Sequence, residues 1–206
     1  MTTWRGRGRE AWAGRLQAVG IQTGVAAALA VYLELLGRWD AAVDLVGDMD
    51  EEELLAGHVL ESLAALPWVD ASGTLLDVGS GNGFPAVPLL LARPKVHGVL
   101  LEPRERRWAF LREVVRELEL PAEVVREQVS EHRGSGYTVG TVRGVEVGAW
   151  LPHATRLLHP EGTWLWWTSK ANAAELDRKV PEGRVLTFAL PDPTRGNLAV
   201  WRRCST

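Results

Sequence analysis

Apolar residues in the first third of the chain recur at helical spacing. Leu29, Leu33 and Leu36 share one face of a stretch running from about Val25 to Arg38, which predicts a helix ending near Gly37. A second helix is expected to begin at Asp50. Asp50 with Glu53 three residues on forms a capping box, and Met49 with Leu54 can close a hydrophobic staple around it. That helix continues through Leu55, Val59 and Leu63 and stops before Pro67. Both helices are amphipathic, so their apolar faces must be buried against the rest of the protein.

The pattern changes at Thr74. Short apolar runs now alternate with longer helical ones: Thr74 to Val78, Pro85 to Ala92, Val96 to Leu101 and Pro103 to Leu118. Such alternation indicates βαβ units and a parallel sheet. Further strands are expected at Ala122 to Val125, Tyr137 to Val142, Gly162 to Thr168, Arg184 to Leu190 and Leu198 to Arg202. The last two are separated only by turn residues (Pro191, Pro193, Gly196, Asn197) and read as an antiparallel hairpin closing the sheet. The expected architecture is α/β and Rossmann-like. Residues 71–206 carry a mostly parallel sheet with a C-terminal antiparallel hairpin, and residues 1–70 form a helical extension with a basic tail.

Composition adds a few constraints. The chain has 206 residues, 46% hydrophobic and 24% charged, which suits one soluble globular domain with an appendage. A lone cysteine, Cys204, builds neither an internal disulfide nor a thiolate metal site and suits a reducing cytoplasm. No apolar run follows the basic first residues, so neither a signal peptide nor a membrane span is expected. The five histidines, His58, His97, His132, His153 and His159, show no metal-ligand spacing. His58 lies among apolar helix positions and is expected to be structural. A net charge of -3 sits awkwardly with nucleic-acid binding, but the charge is uneven. Arg5, Arg7, Arg9 and Arg15 crowd the start, with Gly6 and Gly8 between them. They suit either a flexible, phosphate-seeking arm or a solvated tail. Asp48, Asp50, Glu51, Glu52 and Glu53 form an acidic block, read as a solvated helix start.

The candidate chemistry lies in Leu75-Leu76-Asp77-Val78-Gly79-Ser80-Gly81-Asn82-Gly83-Phe84-Pro85. A buried strand runs into a loop with glycine at every second position, and a helix follows with Pro85 near its first residue. Glycines allow positive φ and close approach to a ligand, and the helix start offers free N–H groups. A dinucleotide fingerprint would place its third glycine at position 84, where Phe84 stands. Asp77, just before the loop, would repel a pyrophosphate but suits the cationic amino group and sulfonium of S-adenosylmethionine. Glu102 ends the next strand, where an acid can hydrogen-bond ribose hydroxyls. With Ser80, Gly81 and Gly83, these residues form the candidate cofactor site. A structural tight turn with an incidental acid is the alternative.

The run Gly79-Ser80-Gly81-Asn82-Gly83-Phe84-Pro85-Ala86-Val87-Pro88-Leu89 resembles the glycine loop of the RsmG (GidB) family, bacterial methyltransferases of guanine N7 in small-subunit ribosomal RNA. The resemblance extends through Arg93-Pro94, Leu101-Glu102, Arg106-Arg107 and Phe110-Leu111-Arg112. Upstream it includes Leu36-Gly37-Arg38-Trp39 and His58-Val59-Leu60-Glu61-Ser62-Leu63, so that it spans about Tyr32 to Lys170. It implies cofactor contacts at Gly79, Phe84, Val129, Ser130 and Arg143. Arg143 would also stand at the active-site edge, and Lys170 would face the RNA. It further implies a cytoplasmic enzyme, here expected to be a monomer without metal, acting on 16S ribosomal RNA or the small subunit. Guanine N7 carries an exposed lone pair, so attack on a methyl group needs no proton removed, and positioning and water exclusion are the main tasks. The sequence departs from the family pattern at Asp40 and Asp44, where amides are usual, and at Val46, Val142, Ala171 and Ser130. Trp39 is the one tryptophan singled out for an RNA role. A small-molecule methyltransferase on the same loop and a non-catalytic cofactor-binding module remain as alternatives.

Overall fold

The structure is a computed structural model describing residues 4–180, 183–191 and 196–202. Cys204 and Pro193 lie outside the described residues. A short 3-10 turn, Trp4–Gly6, leads into α1 (Arg9–Ala18) and the long α2 (Thr23–Val43). The next helix starts as α3 (Glu51–Leu54), widens to a π-helical stretch, Leu55–Leu60, and returns to α-helix in α4 (Glu61–Leu63). Then come β1 (Ser72–Val78), α5 (Ala86–Ala92), β2 (Lys95–Leu101), α6 (Glu105–Glu117), β3 (Ala122–Val125) and β4 (Tyr137–Arg143). The chain ends in α7 (Val147–Leu157), β5 (Leu158–Thr168), α8 (Lys170–Lys179), β6 (Arg184–Ala189) and β7 (Asn197–Arg202).

Among the described residues seven strands make one sheet in the order β3-β2-β1-β4-β5-β7-β6. β1 to β5 pair in parallel, and β7 runs antiparallel to both β5 and β6. The expected hairpin is therefore present, with β7 placed between β5 and β6. Strand order reverses between β1 and β4, and in open α/β sheets ligands gather in the crevice at that switch point. Side chains alternate across the sheet as the pleat dictates. Leu75, Leu100, Leu165 and Trp167 face α2, α5 and α6, while Leu76, Leu101, Trp164 and Trp166 face the side of Trp150 and Ala173. The N-terminal helices share the first of these cores, contributing Trp4, Trp12, Leu16, Leu29 and Leu33.

Two expectations about the N-terminus are corrected. The helix expected to end near Gly37 runs on to Val43. Gly37 is small for another reason: a Cβ there would lie 2.7 Å from the Arg5 carbonyl oxygen, so the glycine lets the chain start cross α2 closely. The basic tail is likewise no flexible arm. Arg5 pairs with Asp40 at 2.6 Å and Arg9 with Glu34 at 2.6 Å, while Arg7 and Arg15 pair with Glu51, and Arg15 also with Glu52. Trp4 donates its indole N–H to the Met49 carbonyl at 2.8 Å. The acidic block starts a helix, with both capping-box hydrogen bonds formed by Asp50 and Glu53, and it also receives the arginines.

Asp40, one of the departures from the family pattern, has a structural task. Its buried carboxylate takes Arg5 on one oxygen and the backbone N–H groups of Leu45 and Val46 on the other, at 2.6 and 2.9 Å. It closes the C-terminal end of α2. Asp44 adopts the left-handed conformation there (φ 51°) and accepts from Gly47 N.

Candidate functional site

β1 and the first turn of α5 hold the glycine loop between them. Gly79, Gly81 and Gly83 all have positive φ (70°, 54° and 95°), a region that L side chains avoid. Space is tight at two of them. A Cβ on Gly79 would lie 2.5 Å from Val145, and one on Gly83 would lie 2.9 Å from the Tyr32 hydroxyl and from Val87. At Gly81 a Cβ would instead project between Arg107 and the Glu102 carboxylate, at 3.5 and 3.9 Å. The loop is fixed from below by Ser80 N donating to the Leu101 carbonyl at 2.9 Å. From behind, Tyr32 of α2 donates its hydroxyl to the Asn82 carbonyl at 2.5 Å. Pro85 caps α5, whose first residue is Ala86.

A cavity of about 370 Å³ opens beside this loop, lined by Gly79, Glu102, Arg104, Arg107, Gln128 and Val129, among others. Glu102 is buried and held at both oxygens, accepting from Gly81 N at 2.9 Å and from Arg104 N at 2.8 Å. Asp77 is 1% exposed. Its Oδ1 accepts from the Thr141 hydroxyl at 2.6 Å, while its Oδ2 has no hydrogen-bond partner among the described residues. Burial pushes its pKa up to about 6, against the opposing pull of the hydrogen bond from Thr141, with the Glu102 charge adding to the rise. A buried carboxylate oxygen without a partner is costly unless something meets it.

A second cavity of about 450 Å³ lies on the other side of the switch point, lined by Glu61, Arg143, Glu146, Trp166, Ser169 and Asn172, among others. The two cavities share the wall Gly144, Val145 and Glu146. Arg143 is the last residue of β4. It donates to the Gly57 carbonyl at 2.6 Å and to Glu61 Oε2 at 3.0 Å. The π-helical stretch thus offers a carbonyl to this arginine, and π-turns often occur at functional sites. Glu61 is 2% exposed, and its backbone carbonyl accepts from the Trp167 indole at 3.1 Å.

The structure brings some of the sequence candidates together and separates others. Gly79, Glu102 and Val129 line the first cavity; Asp77, Ser80, Gly81 and Gly83 belong to the loop and strand that carry it. Ser130 is exposed and outside the lining. Phe84 turns its ring away into the core, edge-on to Tyr32 at 5.2 Å and 5.0 Å from the His58 ring. That packing gives His58 its structural place. Arg143 lines the second cavity rather than the first. Lys170 opens α8 on a separate groove with Asp177 and Asn197. Trp39 packs against Phe110 at 5.8 Å. Glu61, Arg107, Glu127 and Val145 were not singled out in the sequence. Only Glu61 and Arg107 stood in segments that carry the family likeness, and nothing local marks them as cavity residues. Among the described residues no group of three or more His, Cys, Asp or Glu could hold a metal ion, and no helix is long and apolar enough to cross a membrane.

The profile of a family described as "GidB: rRNA small subunit methyltransferase G" matches residues 26–188. The chain belongs to the GidB family. Curated proteins named ribosomal RNA small subunit methyltransferase G are similar to it. One from Xanthomonas euvesicatoria is 40% identical over 116 residues, 56% of this chain and 54% of that protein. One from Neisseria meningitidis is 34% identical over 152 residues, 73% of each. The chain thus spans about half the length of the Xanthomonas relative it matches. Among solved structures, a SAM-dependent methyltransferase from Aquifex aeolicus superposes with a TM-score of 0.59 at 16% identity, over 74% of this GidB-family chain and 93% of its own. The pyocyanin biosynthetic protein PhzM superposes with a TM-score of 0.63 at 16% identity, over 93% of this chain and 67% of its own. The fold is that of the S-adenosylmethionine-dependent methyltransferases.

S-adenosylmethionine is the cofactor that fold and family imply, and the residues present fit it. The unmet Oδ2 of Asp77 suits a cationic amino group. The Glu102 carboxylate lines the first cavity beside Gly79, where the loop carries no side chain of its own.

Proposed function

We propose that this GidB-family chain methylates N7 of a guanine in 16S ribosomal RNA, using S-adenosylmethionine. The observation that carries the reading is the Asp77–Glu102 pair of buried acids behind the open glycine loop at the switch point, within a chain of this family. Asp77 would hold the amino group of the cofactor, Glu102 its ribose hydroxyls, and Val129 the wall against its adenine, with Ser130 at the rim. Gly79, Gly81 and Gly83 would admit it to the backbone, and Ser80 and Phe84 would fix the loop from outside the cavity. When bound, the cofactor supplies a methyl group on a sulfonium centre.

The substrate base would occupy the second cavity, where Arg143 presents a fixed positive charge beside the shared wall. Lys170 would meet RNA phosphate from the adjoining groove. Arg143 cannot remove a proton, and attack by N7 requires none, so these residues orient the base and exclude water. The division into a helical extension, residues 1–70, and a catalytic domain, residues 71–206, belongs to the same proposal. So do action in the bacterial cytoplasm and a monomeric state. A small-molecule substrate, the alternative that acidic Asp40 and Asp44 and the negative net charge slightly favour, draws no support from Asp40, which is engaged by Arg5 and the end of α2.

The test is incubation of the purified chain with labelled cofactor and either small ribosomal subunits or deproteinised 16S RNA, followed by mass mapping of the methyl group. One methylated guanine is the expected result. Firm binding of adenosylhomocysteine with no transfer to any ribosomal substrate would overturn the reading.

A further inference from the structure

The four N-terminal arginines are all held by acids, so an RNA partner must find its positive surface elsewhere. The segment from Arg104 to Arg116 holds five arginines (104, 106, 107, 112 and 116) and two acids, Glu105 and Glu113, a local charge of +3 in a chain of net charge -3. Only Arg116 of the five has a carboxylate partner among the described residues, Glu117 at 2.6 Å. Glu105 is drawn to Arg126, 3.3 Å away, and leaves its neighbours uncompensated. Arg104, Arg106 and Arg112 are exposed.

The spacing organises these charges. Trp108, Arg112 and Arg116 fall four residues apart and share one face of α6. They border a groove of about 530 Å³, whose lining also includes Glu113 and Glu123, against Ala122 and Val124 of β3, the edge strand of the sheet. The Arg112 guanidinium lies over the Trp108 ring, 4.8 Å from its centroid, and the indole is anchored by its N–H to the Val124 carbonyl at 3.1 Å. A fixed indole with a stacked guanidinium is a platform on which unpaired bases stack. At the other end of the segment Arg104 and Arg107 line the first cavity, so the basic surface is continuous with the candidate site.

We propose that this α6 face is the surface that engages the RNA backbone, with Arg112 and Arg116 on phosphates and the Trp108–Arg112 platform beneath an unpaired base. The proposal rests on the reading of the chain as an RNA methyltransferase and names where that RNA lies.

The experiment compares the full-length wild type with Arg112→Gln/Arg116→Gln, neither residue lining the first cavity, and with Arg9→Gln. Binding of a mixed-sequence single-stranded RNA oligonucleotide and of 16S RNA is measured by fluorescence anisotropy across a salt series. Adenosylhomocysteine binding reports the intact fold. The double variant is expected to lose at least about tenfold in RNA affinity near 0.1 M salt. Its slope of log affinity against log salt is expected to become shallower by about one to two, since each phosphate left without its arginine removes roughly 0.7 on a single strand. Arg9→Gln is expected to bind as wild type. If the double variant keeps wild-type affinity and slope while the wild type methylates RNA, this surface is wrong and the functional reading stands. If the wild type neither binds nor methylates RNA, both fall.

Discussion

The Glu61 carboxylate holds the Arg143 guanidinium at 3.0 Å, joining the N-terminal helical layer to the carboxyl end of β4 across 82 residues of sequence. Both side chains line the second cavity. A buried acid beside an arginine fixes the arginine's direction, and removing one partner of such a pair leaves a charge uncompensated. Glu61→Ala is therefore expected to destabilise the fold by about 3 kcal/mol, seen as a lower denaturant midpoint. Glu61→Gln keeps the shape and is expected to spare adenosylhomocysteine affinity while lowering methyl transfer at least about tenfold, the scale of a misplaced positioning group. Equal loss of cofactor binding in the Gln variant would place Arg143 on the cofactor side instead.

Asp77 should make cofactor binding depend on pH. Its ligand-free pKa is raised by burial to about 6. The cationic amino group needs the carboxylate, so adenosylhomocysteine affinity is expected to fall as pH drops through about 6 and to be level above about 7. Calorimetric titration across that range checks this, with Asp77→Asn expected to flatten the profile. Stability carries the opposite sign. The folded pKa lies above the unfolded one, so the wild type loses stability relative to Asp77→Asn as pH rises from about 4 to 6, by up to about 3 kcal/mol without ligand. An Asn variant no more stable than wild type at neutral pH would show that the carboxylate is not desolvated.

Gly79 and Gly81 should respond differently to alanine. At both, a side chain suffers the strain of positive φ, about 1 kcal/mol or more, but only Gly79 meets a neighbour, Val145, at 2.5 Å. Gly79→Ala is expected to lower thermal stability and abolish cofactor binding together. Gly81→Ala is expected to keep most of the stability and lose affinity, since its methyl would project toward Glu102 and Arg107. Paired melting and calorimetry separate the two.

Gly37→Ala offers a test of sign. In an unobstructed helix alanine would stabilise by about 1 kcal/mol. Here the added carbon meets the Arg5 backbone at 2.7 Å, and a net destabilisation of about 1–3 kcal/mol is expected from overpacking. A melting temperature above wild type would show that the chain start does not lie across α2.

What the sequence made legible was local. The capping box of Asp50 and Glu53, the β1–loop–α5 unit around Gly79, and the strand Ala122–Val125 each rest on residues near one another in the chain, and each stands in the structure as expected. Gly37 was misread because a glycine that ends a helix and a glycine that admits a crossing segment look alike until the crossing partner, Arg5, is known. The N-terminal arginines looked free for the same reason: their acids lie 25 to 44 residues away. The π-helical turn that aims the Gly57 carbonyl toward Arg143 has no hydrophobic period of its own. Cavity residues such as Val145 and Glu61 become visible only once β1, β4 and the helical layer are set side by side.

The helical layer cannot be treated as a detachable cover. Because the back of the second cavity includes Glu61, and the glycine loop is braced by the Tyr32 hydroxyl, a fragment starting at residue 71 would keep every strand of the sheet yet present a cofactor loop without its brace and an arginine without its anchor. Truncations and fusions intended to isolate the catalytic half would dismantle it from the rear.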